Sequence, residues 1–175
     1  MRSKEEKNPV YKIGDVVYYG TNGICSIEDI TTLDFQGISK DRLYYVLAET
    51  GNTGKIFVPV DGDTSKMRKL ISKEDAMTLI SEIKNIEPLK LKDENKPEPE
   101  YKEVLKKYDC VELIRLIKCI YFRRLKRVGE GKKVTVVDDK YMKLAEEVLH
   151  QEIGSVLGIP KDQVLNYLIN KINEE

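Results

Sequence analysis

The chemistry suggested by this sequence is concentrated in one stretch, CVELIRLIKCIYFRRLKRVGEGKK at residues 110–133, which begins apolar and ends in cations around two aromatic rings. At about 100° per residue, Lys118, Tyr121 and Arg124 share one helix face, with each cation about 60° from the tyrosine. Such a ring suits a phosphate-lined groove, because the cations bind the backbone while the ring lies against a sugar or wedges beside a base step. Alternatively, Tyr121 is a half-buried core residue and the basic helix end complements the helix dipole.

Charge is segregated along the chain. The 30 basic and 30 acidic residues give a formal net charge of zero, yet residues 102–143 contain thirteen basic and six acidic residues. This local surplus of seven positive charges fits a polyanionic partner, and either nucleic acid or an acidic membrane surface would satisfy it.

No apolar run approaches the roughly eighteen residues of a membrane span, and the N-terminus lacks the apolar segment of a secretory signal. We therefore expect a cytoplasmic protein.

Residues that commonly support catalysis or metal binding are sparse and unclustered. His150 is the single histidine, and Cys25, Cys110 and Cys119 form no CxxC pair. The early glycines precede strands rather than a helix N-terminus, so they do not form a phosphate-binding loop. No nucleophile or paired-acid motif occurs in a defined context. We expect neither an enzyme nor a bound metal or cofactor.

The first part of the chain has the pattern of a small β domain. Glycine- and asparagine-containing turns separate short runs that predict strands at residues 16–19, 24–30, 42–47 and 55–60. This spacing predicts an antiparallel sheet that closes into an SH3-like or Tudor-like barrel. Pro59 indicates that the last strand lies at an edge or ends there. The edge could pair with a strand of another protein, or Lys55 and Pro59 could blunt it.

From Ser72 onward the apolar period changes from two to 3.6 residues. The predicted helices cover residues 72–86, a short segment after Pro99, about 110–128, about 138–157 and a last segment after Pro160. Residues 87–100 are charged and contain three prolines, which predicts an irregular connection. The fold class is therefore α+β, with a small SH3/Tudor-like β-barrel followed by an all-α bundle. We place a disordered leader at residues 1–10 and the two domains at residues 11–66 and 67–175.

The order of these pieces resembles the CarD family of bacterial transcription regulators over essentially residues 11–159. The matching segments are YKIGDVVYYGTNGICSIEDI, KIFVPVD, LIKCIYFRRLKR and EEVLHQEIGSVLGI. The resemblance implies a non-enzymatic regulator whose N-terminal Tudor-like domain docks on the β subunit of RNA polymerase, as a similar module of the transcription-repair coupling factor does. It also implies that the helical domain contacts promoter DNA at the upstream edge of the bubble. There an aromatic wedge in the minor groove helps keep the open complex from closing.

By position, the family's wedge falls on Tyr121 and the following basic pair on Arg123 and Arg124. The wedge is typically tryptophan, which this chain lacks. Because Arg123 lies about 200° from Tyr121 around the helix, it could instead pair with a carboxylate on the other side. The DNA-binding residues that we predict are Tyr121, Lys118, Arg123, Arg124, Lys126, Arg127, Lys132 and Lys133.

Arginines that contact polymerase in some family members fall here on Leu33 and Phe57, which leaves edge-strand pairing as the main expected contact. The predicted polymerase-binding residues are Leu33, Lys55, Ile56 and Phe57. The expected partners are the RNA polymerase β subunit and promoter DNA, with no membrane, no cofactor and a monomeric protein. The alternative is a barrel-plus-bundle interaction scaffold without a nucleic-acid role, whose basic stretch binds an acidic protein.

Overall fold

The computed structural model describes residues 9–34, 37 and 40–174, and the chain divides into two compact units, residues 1–70 and 71–175. The first unit is built on a β-sheet and the second on helices, which confirms the predicted α+β class. The predicted leader lies, up to residue 8, outside the described residues.

The first unit contains one antiparallel sheet. Its strands are β1 (Val16–Tyr19), β2 (Ile24–Thr32), β3 (Leu43–Glu49), β4 (Lys55–Pro59) and β5 (Met67–Lys69). Their order across the sheet is β4-β3-β2-β1-β5. Within the described ranges β4 and β5 do not pair with each other, so the sheet is open and the predicted barrel closure is not confirmed.

A register shift in β2 keeps the core face of this sheet apolar. Ile27 is buried beside Leu47 of β3, and strict alternation would point Asp29 into the same core. Between Ile27 and Asp29 the register against β3 shifts, so that Asp29 is exposed and Ile30 packs against the core. The bulge therefore corrects a conflict between the sequence pattern and the two-residue period of the strand.

The pattern of short β runs does not predict β5, whose three residues are too few to show alternation. Its partner decides its conformation, because Met67 pairs with Tyr19 and Lys69 with Val17 of β1. The guanidinium of Arg68 lies 5.0 Å from the centre of the Tyr18 ring on the neighbouring strand. Consequently the first unit continues to residue 70, four residues beyond the predicted end of the first domain.

The second unit contains five α-helices, all within the described residues. They are α1 (Lys73–Glu82), α2 (Glu98–Lys107), α3 (Cys110–Gly129), α4 (Val136–Leu157) and α5 (Lys161–Glu174). Side chains cap the starts of α1 and α4, because Ser72 Oγ accepts a hydrogen bond from the Asp75 N–H and Thr135 Oγ1 accepts one from the Asp138 N–H. The predicted short helix after Pro99 begins slightly earlier, at Glu98, since proline is well tolerated in a first helical turn.

Helix α3 is the central element of the second unit. Its first half is apolar on several sides, and Leu113, Leu116 and Ile120 are completely buried. It packs against both α2 and α4. This wide burial fixes the rotation of α3, and it therefore determines which of the later residues in the helix face solvent.

Candidate functional site

The basic residues of α3 divide into an inward-facing and an outward-facing group. Lys118 belongs to the first group, because its ammonium donates hydrogen bonds to three backbone carbonyls at the end of α1 and the turn after it. The acceptors are the oxygens of Ile83, Lys84 (3.3 Å) and Ile86 (2.7 Å). These carbonyls lie at and just beyond the end of α1, where a helix leaves backbone acceptors without its own donors, and the Ile83 oxygen also accepts a bond from the Ile86 N–H. Lys118 therefore acts as a cap that joins α1 to α3.

Arg123 also faces inward, where it pairs with a completely buried carboxylate. Its Nε atom lies 3.4 Å from Asp138 Oδ1, and the Tyr101 hydroxyl donates a 2.9 Å hydrogen bond to the same oxygen. Burial, followed by this hydrogen bond, raises the pKa of Tyr101 well above its usual range. The contact agrees with the alternative stated in the sequence analysis, in which Arg123 pairs with a carboxylate on the side of α3 opposite Tyr121.

Arg124 occupies an intermediate position. Its Nη2 atom donates a 3.0 Å hydrogen bond to Asp139, which also pairs with Lys143 at 2.8 Å. The Lys143 contact is the main reason why the pKa of Asp139 lies below its usual range, and Arg124 adds to it. The Arg124 side chain is 27% exposed, so it lies at the border between the protein interior and solvent. Its ion pair with Asp139 partly offsets its positive charge.

The outward-facing group lies at the end of α3 and in the loop after it. Lys126, Lys132 and Lys133 are exposed there, whereas Arg127 is partly buried and donates from Nε to the Lys133 carbonyl at 2.9 Å. That bond folds the loop back onto the last turn of the helix. Lys126 is 3.9 Å from Glu94 and Lys132 is 2.7 Å from Glu130, and all four of these side chains are largely solvated. Exposed pairs of this kind exchange readily with other anions.

Exposed apolar side chains accompany these lysines. Tyr121, Phe122, Leu125 and Val128 each have more than half of their surface in solvent. The Tyr121 and Phe122 rings lie edge to face, with their centroids 5.6 Å apart. We call this set, together with Lys126, Lys132 and Lys133, the α3 terminal surface. It combines the two features that single-stranded or distorted nucleic acid requires, cations for phosphates and rings for stacking.

A second candidate surface is the free edge of β4. In the described part of the chain, strand β3 pairs with one side of β4 and no strand pairs with the other. The Val60 N–H donates to the Leu43 carbonyl of β3. Because every second residue of an antiparallel strand bonds to the same neighbour, the backbone groups of Val58 and Ile56 also face β3. The outward backbone groups consequently belong to Lys55, Phe57 and Pro59, of which Pro59 has no N–H.

The predicted polymerase-binding residues differ in exposure. Phe57 retains 44% of its surface, and Lys55 is exposed and lies 3.1 Å from Glu28. Ile56 is partly buried against the core of the sheet, and Leu33 is partly buried just after β2. Lys55 and Phe57 thus combine an outward backbone with an accessible side chain, whereas Ile56 supports the strand from the inner face.

Residues 11–71 match the family model of the CarD-like/TRCF RID domain. The matched range contains all five strands of the first unit and ends at its last residues. The chain carries a CarD-like/TRCF RID domain. The match confirms the resemblance for the N-terminal part of the chain, and this type of domain occurs in regulators that interact with RNA polymerase. A comparison with curated proteins gives no match.

The CarD-like/TRCF RID domain includes Leu33 and the whole of β4, whereas every predicted DNA-binding residue lies outside the matched range in the helical unit. No helix among the described residues is long and apolar enough to cross a membrane. The described residues also contain no group of three or more histidine, cysteine or acidic side chains arranged to hold a metal ion. The roles of the individual residues on both surfaces remain predictions.

Sequence reasoning missed the contribution of Phe122, Leu125 and Val128 to the exposed surface of the helical unit. A signal was present, because these apolar residues continue beyond Ile120 among the cations, where a solvated helix end would have polar residues. Their exposure depends on the rotation of α3 set by the buried half, and the local pattern does not give that rotation.

Proposed function

We propose that this CarD-like protein is a non-enzymatic transcription regulator that docks on the RNA polymerase β subunit and stabilises the promoter open complex. The RID domain holds the protein on polymerase through the free edge of β4. The α3 terminal surface contacts DNA at the upstream edge of the bubble. The observation that carries this proposal is that a chain with an RID domain has a half-exposed tyrosine on the same helix whose end, with the loop after it, carries solvated lysines.

The structure changes which cations we assign to DNA. Lys126, Lys132 and Lys133 supply phosphate contacts, because their charges are solvated and their acidic partners are easily replaced. Lys118 and Arg123 position α3 from the inside, and Arg124 and Arg127 stabilise the border of the surface. Phosphate contacts of this kind are independent of base sequence, so the docked domain provides the localisation.

Docking also explains how a small DNA-binding surface suffices. A protein held on polymerase meets the adjacent DNA at a high effective concentration, so a weak intrinsic affinity for DNA is enough. Tyr121 then acts at the junction, where its exposed ring stacks on a base or sugar that melting has uncovered. Such stacking stabilises the junction by about 1 to 3 kcal/mol.

The lifetime of promoter open complexes tests the DNA part of this proposal. Complexes formed by the cognate polymerase should survive a competitor challenge longer with the protein than without it, and Tyr121→Ala should remove most of the increase. Leu165→Ala is the matched control, because Leu165 is similarly exposed, at 47% against 51% for Tyr121, but lies on α5 and outside the α3 terminal surface. If both variants retain the full effect on lifetime, Tyr121 has no role at the junction.

Polymerase binding tests the docking part. Phe57→Pro removes an outward N–H from β4 without removing a bond to β3, and should weaken binding to the β subunit by at least about tenfold if strands pair there. Phe57→Ala separates the two contributions of this residue, because it removes the ring and retains the N–H. Equal binding by the wild type and both variants would exclude the β4 edge as the docking surface.

A further inference from the structure

An open cavity borders the α3 terminal surface inside the helical unit. Its volume is about 290 Å³, at the low end for a binding site and suited to one small planar group. Leu89 and Leu91, from the connection between α1 and α2, form one wall, and Phe122 and Cys119 of α3 form the other. The thiol adds an apolar contact, because burial raises the pKa of Cys119 and keeps it protonated.

The polar groups of the cavity provide both hydrogen-bond donors and an acceptor. Arg123 lines the cavity while only its Nε atom faces Asp138, and a guanidinium has four further N–H donors. Glu94 lines the cavity as well and offers carboxylate acceptors. Apolar walls that include an aromatic ring, together with a donor and an acceptor, match the faces and the edge of a nucleobase.

The charge around the cavity favours an anionic chain. The charge of Arg123 is balanced by the buried Asp138, but Lys90, together with Lys126 at 3.9 Å from Glu94, exceeds the single carboxylate of Glu94. A neighbouring cavity of similar size, about 280 Å³, carries three glutamates against two lysines and therefore has the opposite sign. Of these two cavities, the one beside Phe122 suits a phosphate-linked ligand.

We propose that this cavity receives one unpaired DNA base from the edge of the bubble, with Phe122 stacking on it. The inference rests on the proposed function, because Tyr121 would sit at the junction that releases such a base. The two rings are adjacent and edge to face, so one can remain in the duplex end while the other contacts the extruded base. Arg123 and Glu94 meet the polar edge of the base, and Lys126 contacts its phosphate.

Forked DNA with one unpaired base at the junction provides the test. The full chain at low ionic strength should bind this fork about tenfold more tightly than a fork with an abasic site at the same position, which is the effect expected from stacking one base. Fluorescence anisotropy of a labelled fork measures both affinities. Phe122→Ala should abolish the preference for the base, measured as the ratio of the two affinities in the same variant.

Leu125→Ala is the matched control, because Leu125 is as exposed as Phe122 but does not line the cavity. Because Leu125 belongs to the same surface, the readout is again the ratio of the two affinities, which this variant should preserve even if both affinities fall. Equal affinity of the wild type for both forks, or a preference that survives in Phe122→Ala, overturns the inference about the cavity. If equal affinity accompanies a Tyr121-dependent increase in open-complex lifetime, the proposed function stands alone. Absence of binding to either fork, with no change in lifetime, overturns both.

Discussion

The inward and outward faces of α3 contain the same residue types but use them differently. On the inward face, Lys118 and Arg123 are fixed by backbone carbonyls and by a buried carboxylate. On the outward face, Lys126 has a long contact to a solvated glutamate, and Tyr121 is half exposed. The difference shows that basic residues in one helix can support the fold or serve as a binding surface. Which role each has depends on the neighbouring helices.

The largest difference between the two regions should be in stability. Asp138→Ala leaves the Arg123 guanidinium and the Tyr101 hydroxyl without their acceptor, and should lower the free energy of unfolding of the helical unit by about 3 to 5 kcal/mol. Urea unfolding followed by circular dichroism at the helix band measures it. Asp139→Ala is the matched control, since that neighbouring carboxylate pairs with Arg124 and Lys143 in solvent and its removal should have little effect. Equal destabilisation by the two variants would contradict the inward assignment.

The cap formed by Lys118 should have a smaller effect. Lys118→Met keeps the aliphatic part of the side chain and removes the three hydrogen bonds to the end of α1. A charged hydrogen bond contributes about 1.5 to 3 kcal/mol, and we expect a decrease of that size in the same unfolding experiment. Lys126→Met should leave stability unchanged. An unchanged free energy of unfolding in both variants would contradict the role of Lys118 as a cap.

High pH should also weaken the inner network. Burial, together with hydrogen bonds to carboxylates, raises the pKa of Tyr101 above its usual range and raises the pKa of Tyr141 to about 12. Above about pH 10 the unfolded chain releases tyrosine protons that the folded chain retains, so the free energy of unfolding falls as pH rises. Below pH 10 both states keep these protons and the two tyrosines give no slope.

Urea unfolding between about pH 9 and about pH 11.5 measures this dependence, because that range spans the ordinary tyrosine pKa. Tyr101→Phe cannot ionise at that position and should show a shallower decline than the wild type, with the remainder due to Tyr141 and other groups. Tyr167→Phe serves as the control, because the Tyr167 hydroxyl contacts the sulfur of Met77 rather than a carboxylate. An unchanged slope in Tyr101→Phe would show that its proton is not held by the fold.

The outer lysines should have the smallest effect on stability. Changing Lys126, Lys132 and Lys133 together to glutamine should alter the free energy of unfolding by less than about 0.5 kcal/mol for each substitution. If these residues bind phosphates, the dependence of DNA affinity on salt should become shallower, by up to about 0.9 in the logarithmic slope for each lysine–phosphate interaction that the substitutions remove. An unchanged salt dependence would favour the scaffold alternative, in which the basic stretch binds an acidic protein.

Much of the fold follows from local signals. Ser72 and Thr135 mark helix starts because their hydroxyls accept bonds from N–H groups three residues later, and four strands follow from β-type runs between turns. Strand β5 and the register shift in β2 have no comparable signal, since both arise from pairing with another strand. The same limit applies to the candidate site, where composition indicates a basic, aromatic helix end but not which side chains are buried.

The sequence by itself determined the α+β organisation, the presence of an RID domain and the position of the basic stretch on a single helix. These properties depend on the order of residues within short stretches of the chain. They do not depend on which elements pack against each other. Only the tertiary structure decided that Arg123 pairs with Asp138, that Lys118 caps α1 and that Phe122 borders a cavity. These contacts join residues 15 to 35 positions apart or depend on the rotation of α3, and packing against α2 and α4 fixes that rotation.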